Sequence, residues 1–254
     1  IRDLLALILC THQQRISDDQ WLLYVEFAKR LRPGDMILTF NYDTILEDAL
    51  EKANVPFRFC PHRYESVCPD GAGIASLDET EVIIYKVHGS IDWFSRVRYE
   101  SDRRKARHNP YHYRRPHPVF ESEHRYSVEP LVGNPYPSGD ALCQIYRAKN
   151  VARLYSDLGT NTPTPLLIAP SRAKIVYLQP LLDFWYGFNV AGAWQSQLIV
   201  IGFSFPLQDD YALTPIVRAV DNFQNSNDTG SSFQKTRLKL VDLQPSSEAR
   251  AKFM

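Results

Sequence analysis

Two apolar, β-rich runs that stop abruptly at polar groups constrain this chain more than any other feature. Met36-Ile-Leu-Thr-Phe40 gives way to Asn41, Tyr42 and Asp43, and the run Val82 to Val87 gives way to His88, Gly89 and Ser90. A third run, Leu198-Ile-Val-Ile-Gly202, gives way to Phe203 and Ser204. Continuous apolar runs of this kind suit strands covered on both faces of a parallel sheet. Open α/β sheets bind their ligands beyond the carboxyl ends of such strands. Polar groups at three strand ends therefore outline a site.

The intervening sequence supplies helices. Residues 18–32 have helical spacing of apolar groups, with Ser17 or Asp18 as cap, acids first, bases last and Pro33-Gly34 as the stop. Asp43 or Thr44 can cap a second helix to about Ala53, with Ile45, Leu46, Ala49 and Leu50 on one face. Pro69 to Gly73 reads as a hairpin turn. Residues 166–169 read as a short strand, 178–194 and 211–223 as helices, 224–234 as a flexible linker, and 237–242 as a closing strand ending at Asp242. Alternating strand and helix predicts an α/β fold: a Rossmann-like, doubly wound, mostly parallel sheet forming one domain over residues 1–254. Residues 95–165 interrupt the alternation and hold four of the seven histidines. They read as a long, irregular insertion packed across the sheet edge or over the site.

Bulk properties exclude several classes. The apolar fraction of 44% and the charged fraction of 23% are those of a globular protein. Net charge is zero, so no overall pull toward nucleic acid or an acidic membrane is expected. The apolar run Leu4 to Cys10 is too short to span a bilayer and lacks a basic leader and a cleavage site. Because the sequence opens on Ile1, it reads as a piece of something longer. Cys10, Cys60, Cys68 and Cys143 show no Cys-x-x-Cys spacing, which predicts reduced thiols, a cytoplasmic setting and no metal. His108, His112 and His117 lie among Arg103, Arg104, Lys105, Arg107, Arg114, Arg115, Tyr111 and Tyr113. Prolines at 110, 116 and 118 make this an irregular, solvated loop, with contact to a partner or to nucleic acid the lesser reading and metal a third.

Taken in order, Thr39-Phe-Asn-Tyr-Asp43, Lys86-Val-His-Gly-Ser90, Ile168-Ala-Pro-Ser171 with Lys174, Ile201-Gly-Phe-Ser204 with Asp209-Asp210, and the strand through Asp242 resemble the sirtuin-like family in its bacterial NAD-consuming branch. The resemblance covers roughly residues 35–93 and 165–245. It implies NAD+ as substrate, with Asn41 holding the nicotinamide ribose or the attacking water and His88 as general base. By the same resemblance Phe40, Tyr42, Asp43, Gly202, Phe203, Ser204, Asp209, Asp210 and Asp242 would line the nucleotide. It also implies hydrolysis of NAD+ to nicotinamide and ADP-ribose, often as the effector of an anti-phage system. The alternative is a non-catalytic module that binds a nucleotide or partner protein. A protein partner or a second copy fits either reading; nucleic acid and membrane are not expected partners.

The sequence departs from that family in two places. The Gly-rich phosphate loop of the family precedes the position of Asn41, whereas the look-alike Gly71-Ala-Gly-Ile-Ala-Ser76 follows it. The four-cysteine zinc ribbon of the deacylase branch has no counterpart in the spacing of Cys60, Cys68 and Cys143 with His62. The chemistry of the two central residue types is independently suitable. Histidine as a residue type titrates near pH ~6.5 and can accept a proton at neutral pH. Asparagine offers a donor and an acceptor without a titrating charge.

Overall fold

The computed structural model describes residues 2–59, 63–76, 80–111, 113–133, 135–137, 139–157, 163–168, 197, 199–201, 210–225 and 239–241. The chain divides into two compact units, Ile1–Leu181 and Leu182–Met254.

The first unit opens with α1 (Arg2–Gln13) and α2 (Asp18–Ala28). The apolar run near the start is thus a helix, burying Ala6 and Cys10 in a core with Ile91, Phe94, Leu154 and Tyr155. Ser17 caps α2 through a full capping box with Gln20. The helix ends at Ala28, short of the expected residue 32, because Arg30 and Leu31 turn tightly onto the carbonyls of Phe27 and Ala28.

Next come β1 (Met36–Thr39), α3 (Ile45–Lys52), β2 (Phe57–Phe59), the hairpin β3 (Tyr64–Val67) and β4 (Gly73–Ala75), and β5 (Val82–Lys86). β1, β5 and β2 form a parallel sheet in that order, and all five residues of β5 are buried. Chain direction is shared, so the carboxyl ends of β1 and β5 emerge side by side. The antiparallel pairing of β3 with β4 makes Gly71-Ala-Gly73 part of a hairpin turn and strand, not a phosphate loop. This is a mixed α/β architecture with a small parallel sheet, consistent with a Rossmann-like fold.

The described residues between 93 and 156 hold more regular structure than the expected irregular insertion. β6 (Trp93–Ser95) leads into α4 (Arg96–His108) and α5 (Glu123–Tyr126), followed by β7 (Val128–Pro130), β8 (Ile145–Ala148) and α6 (Val151–Ser156). β6, β8 and β7 build an antiparallel sheet, with β8 in the middle. The prolines that suggest a loop begin only at residue 110, after α4 has closed on Asn109. Within the expected strand at 166–169, Leu167 bridges to Gly89, and residue 169 lies outside the described residues.

In the second unit, β9 (Ile199–Ile201) pairs in parallel with β10 (Lys239–Val241), and α7 (Asp210–Asn225) lies between them in sequence. The parallel pairing agrees with the sequence reading, but Ile199 and Ile201 are exposed, not buried. The helix expected at 178–194 and most of the linker at 224–234 lie outside the described residues. Among the described residues no helix is long and apolar enough to cross a membrane.

Candidate functional site

β1 and β5 run in register from Met36 opposite Ile83 to Thr39 opposite Lys86. Asn41 and His88 each lie two positions beyond that last pair. Neighbouring strands are about 4.8 Å apart, so the two residues leave the sheet from adjacent strand ends. Asn41 is exposed, and its backbone N–H turns back to the Thr39 hydroxyl at 3.1 Å. His88 is only 6% exposed. Its imidazole stacks on Tyr42 at 5.9 Å and meets Phe40 edge-on at 5.1 Å. Phe40, Asn41, Tyr42 and Asp43 therefore form one continuous rim beside His88.

Two neighbouring segments hold that rim. The Tyr42 carbonyl accepts from the Ile91 N–H at 2.9 Å and from the Ser90 hydroxyl at 3.3 Å, and the Tyr42 hydroxyl donates to the Ile168 carbonyl at 2.6 Å. The His88 carbonyl in turn accepts from the Ile168 N–H at 3.0 Å. Gly89 follows with φ of +78°, and a β-carbon there would collide with the Leu166 carbonyl oxygen. Only glycine meets both demands comfortably.

Beneath the rim lies a buried set of charges. Lys86 and Glu47 are each 1% exposed, with Nζ and Oε1 2.7 Å apart. The same ammonium donates to the Asp43 carbonyl oxygen. Fully buried Asp92 accepts from Arg147 Nε at 2.8 Å, and Arg147 also reaches Glu51 at 3.0 Å. Burial pushes the Glu47 carboxyl upward, with the Lys86 charge opposing. Burial works against the Arg147 charge, yet Asp92, Glu47 and Glu51 hold its pKa above the ordinary arginine value. The sequence hints at this cluster: Lys86 ends an otherwise apolar strand and Glu47 sits early in an amphipathic helix. Nothing in the sequence shows that the two meet.

The start of α3 is tied down by α1. Gln13 Nε2 donates to Thr44 Oγ1 at 2.6 Å and to Asp48 Oδ2 at 2.7 Å, while Gln13 Oε1 accepts from the Thr44 N–H at 3.2 Å. Asp43 Oδ1 accepts from the Ile45 N–H at 3.1 Å. Of the two cap candidates in the sequence, Thr44 occupies the N-cap position without a side-chain cap bond, Asp43 supports the turn just before it, and Gln13 is a partner of this helix start that the sequence did not reveal.

Burial raises the Asp48 carboxyl from 3.8 to about 6, against the opposing Thr44 hydrogen bond. A raised carboxyl favours the protonated form in the folded state. Its ionisation therefore destabilises the fold progressively as pH rises from about 4 to about 6 and fully above that. Asp48→Asn removes the titration while keeping an acceptor oxygen. Relative to the variant, wild type is expected to lose about 2 kcal/mol between pH 4 and pH 7 in urea unfolding, allowing for partial exposure. An unchanged difference across that range would refute the assignment.

A cleft of about 600 Å³, lined by Glu51, Phe57, Arg58, Tyr64, Tyr136 and Arg147 among others, shares Glu51 and Arg147 with the charge set beneath the rim and includes none of the site residues expected from the sequence. Gly202, Phe203, Ser204, Asp209 and Asp242 lie outside the described residues, as do Ser171 and Lys174. Asp210 is the first residue of α7 in the second unit. Among the described residues no group of three His, Cys, Asp or Glu side chains is placed to hold a metal ion.

With Asn41 and His88 at adjacent ends of parallel strands, comparison with known families becomes informative. Residues 35–124 match the model of the SIR2-like domain. The match takes in β1, α3, β5, the Asn41–Asp43 rim, His88 and α4, about a third of the chain. No curated protein matches the chain. A SIR2-like domain points to NAD-related function, and both central residues fall inside the matched segment.

Proposed function

We propose that the chain binds NAD+ at the carboxyl ends of β1 and β5 and hydrolyses its nicotinamide–ribose bond, releasing nicotinamide, ADP-ribose and a proton. The observation that carries this reading is the common offset of Asn41 and His88, two positions past the Thr39–Lys86 pair, within the SIR2-like match. Cleavage of that bond builds positive charge on the sugar while nicotinamide leaves as a neutral group. The chain then needs a fixed grip on the ribose and a base for the attacking water. The Asn41 carboxamide, exposed at the rim, can orient a ribose hydroxyl or the water. The His88 imidazole, held between two rings, can accept the water proton. Phe40, Tyr42 and Asp43 complete the rim, and Gly202, Phe203, Ser204, Asp209, Asp210 and Asp242 are proposed nucleotide contacts on the resemblance alone. An effector role in anti-phage defence is the biological setting the resemblance suggests.

A second reading has its own support. The imidazole is walled by Phe40 and Tyr42. A SIR2-like module that binds a nucleotide without turnover fits that confinement. Incubation with NAD+ and chromatography of the products, run beside calorimetry with NAD+ and ADP-ribose, separates the readings. Nicotinamide release supports hydrolysis; binding without release supports the module; neither binding nor release refutes both.

A further inference from the structure

We propose that the C-terminal half of α4 and the described residues after it, 103–111 and 113–115, form a docking surface for single-stranded nucleic acid. The inference is independent of the NAD+ reading. Residues 96–115 contain eight Arg or Lys against Glu100 and Asp102 alone, in a chain whose total charge is zero. Positive charge is therefore concentrated in this stretch of the sequence, and Asp102, Glu121 and Glu123 offset part of it locally.

The helix decides how that charge is displayed. Tyr99 and Ala106 turn inward and are buried, which leaves Arg104, Lys105, Arg107 and His108 exposed. The Asn109 N–H closes the helix on the Lys105 carbonyl, and Tyr111, Tyr113, Arg114 and Arg115 follow at the surface. Nearby acids neutralise part of the set: Glu121 takes Arg103 at 3.2 Å and Arg115 at 3.5 Å, and Asp102 takes Lys105 at 3.6 Å. Arg104 and Arg107, three residues apart on one face, form no ion pair among the described residues. A helix C-terminus favours a few cations through its dipole, but a run of bases continuing past the helix exceeds that need.

The second observation is aromatic. Tyr111 is 95% exposed and Tyr113 is 48% exposed, so two rings stand in solvent in the same stretch of chain as the exposed bases. Burying such rings is ordinarily favourable, and these are left open. Cations that follow a backbone, interleaved with rings on which bases stack, are the features by which single strands are held without sequence preference. An acidic protein or an anionic vesicle would use the charges but give the rings no stacking partner.

The test is fluorescence anisotropy of the whole chain with a labelled thymidine oligonucleotide of about 20 nucleotides, over 50 to 200 mM salt. Wild type is expected to bind at the lowest salt, with affinity falling roughly as the second to fourth power of salt, at about 0.7 per phosphate contact. Charge reversal in Arg104→Glu/Arg107→Glu is expected to weaken binding at least ~10-fold, and Tyr111→Ala about 5- to 100-fold, the range expected for one stacked base. All three side chains are exposed, so circular dichroism should show unchanged folding, and nicotinamide release, if present, should be unaltered. Absence of binding at 50 mM salt overturns the proposal, as does binding insensitive to these changes. A duplex or phosphatidylserine vesicles bound as tightly as the single strand also overturn it.

Discussion

His88→Ala is expected to lower nicotinamide release from NAD+ by about 10²- to 10⁴-fold, the usual contribution of a positioned general base. The loss should appear in kcat more than in KM, because proton acceptance matters in the transition state and adds little to ground-state binding. His88 is wedged between Phe40 and Tyr42, so alanine also leaves a gap. His88→Asn fills more of that gap and still cannot serve as a base. Both variants are expected to keep a cooperative thermal transition and lose turnover together. Turnover at the wild-type rate in either folded variant would remove His88 from the chemistry.

The second large effect concerns the charges under the rim. Lys86→Met removes the partner of Glu47 at a position where both are 1% exposed. It also removes the donor to the Asp43 carbonyl. Breaking a buried pair from one side typically costs about 3–5 kcal/mol, since the remaining charge has neither water nor a counter-ion. Much of this should be recovered in Lys86→Met/Glu47→Met, where an apolar pair of similar volume replaces both charges. Chemical denaturation of wild type, single and double variants reads this directly. A single variant within about 1 kcal/mol of wild type would show that the pair is not buried as described.

The strands and the first helices were legible because their signals are local. β1 and β5 begin within one residue of where their apolar runs predict, and the Ser17 cap and the turn after Val67 lie where residue type places them. The α4 helix was obscured because prolines at 110, 116 and 118 made their basic neighbours look irregular, although none lies inside the helix. α1 is less legible, because a short apolar run such as Leu4 to Cys10 does not by its periodicity separate helix from strand. The site was legible in part: Asn41 and His88 stand out as polar residues at the ends of apolar runs. Tertiary pairings were not legible. Gln13 caps a helix 31 residues away, and Lys86 meets Glu47 and Asp43 across the sheet–helix layer. Sequence spacing carries no trace of such contacts, because they depend on which elements pack together.

The central claim is that the carboxamide at 41 and the imidazole at 88 act on one bound sugar, and a double-mutant cycle on nicotinamide release tests it most directly. Asn41→Ala, His88→Ala and the combined variant are measured under single-turnover conditions, with folding of each verified by thermal denaturation. Groups that act as a unit give a combined loss little larger than that of the worse single variant. Losses that multiply independently, or rates equal to wild type in the folded variants, would contradict it.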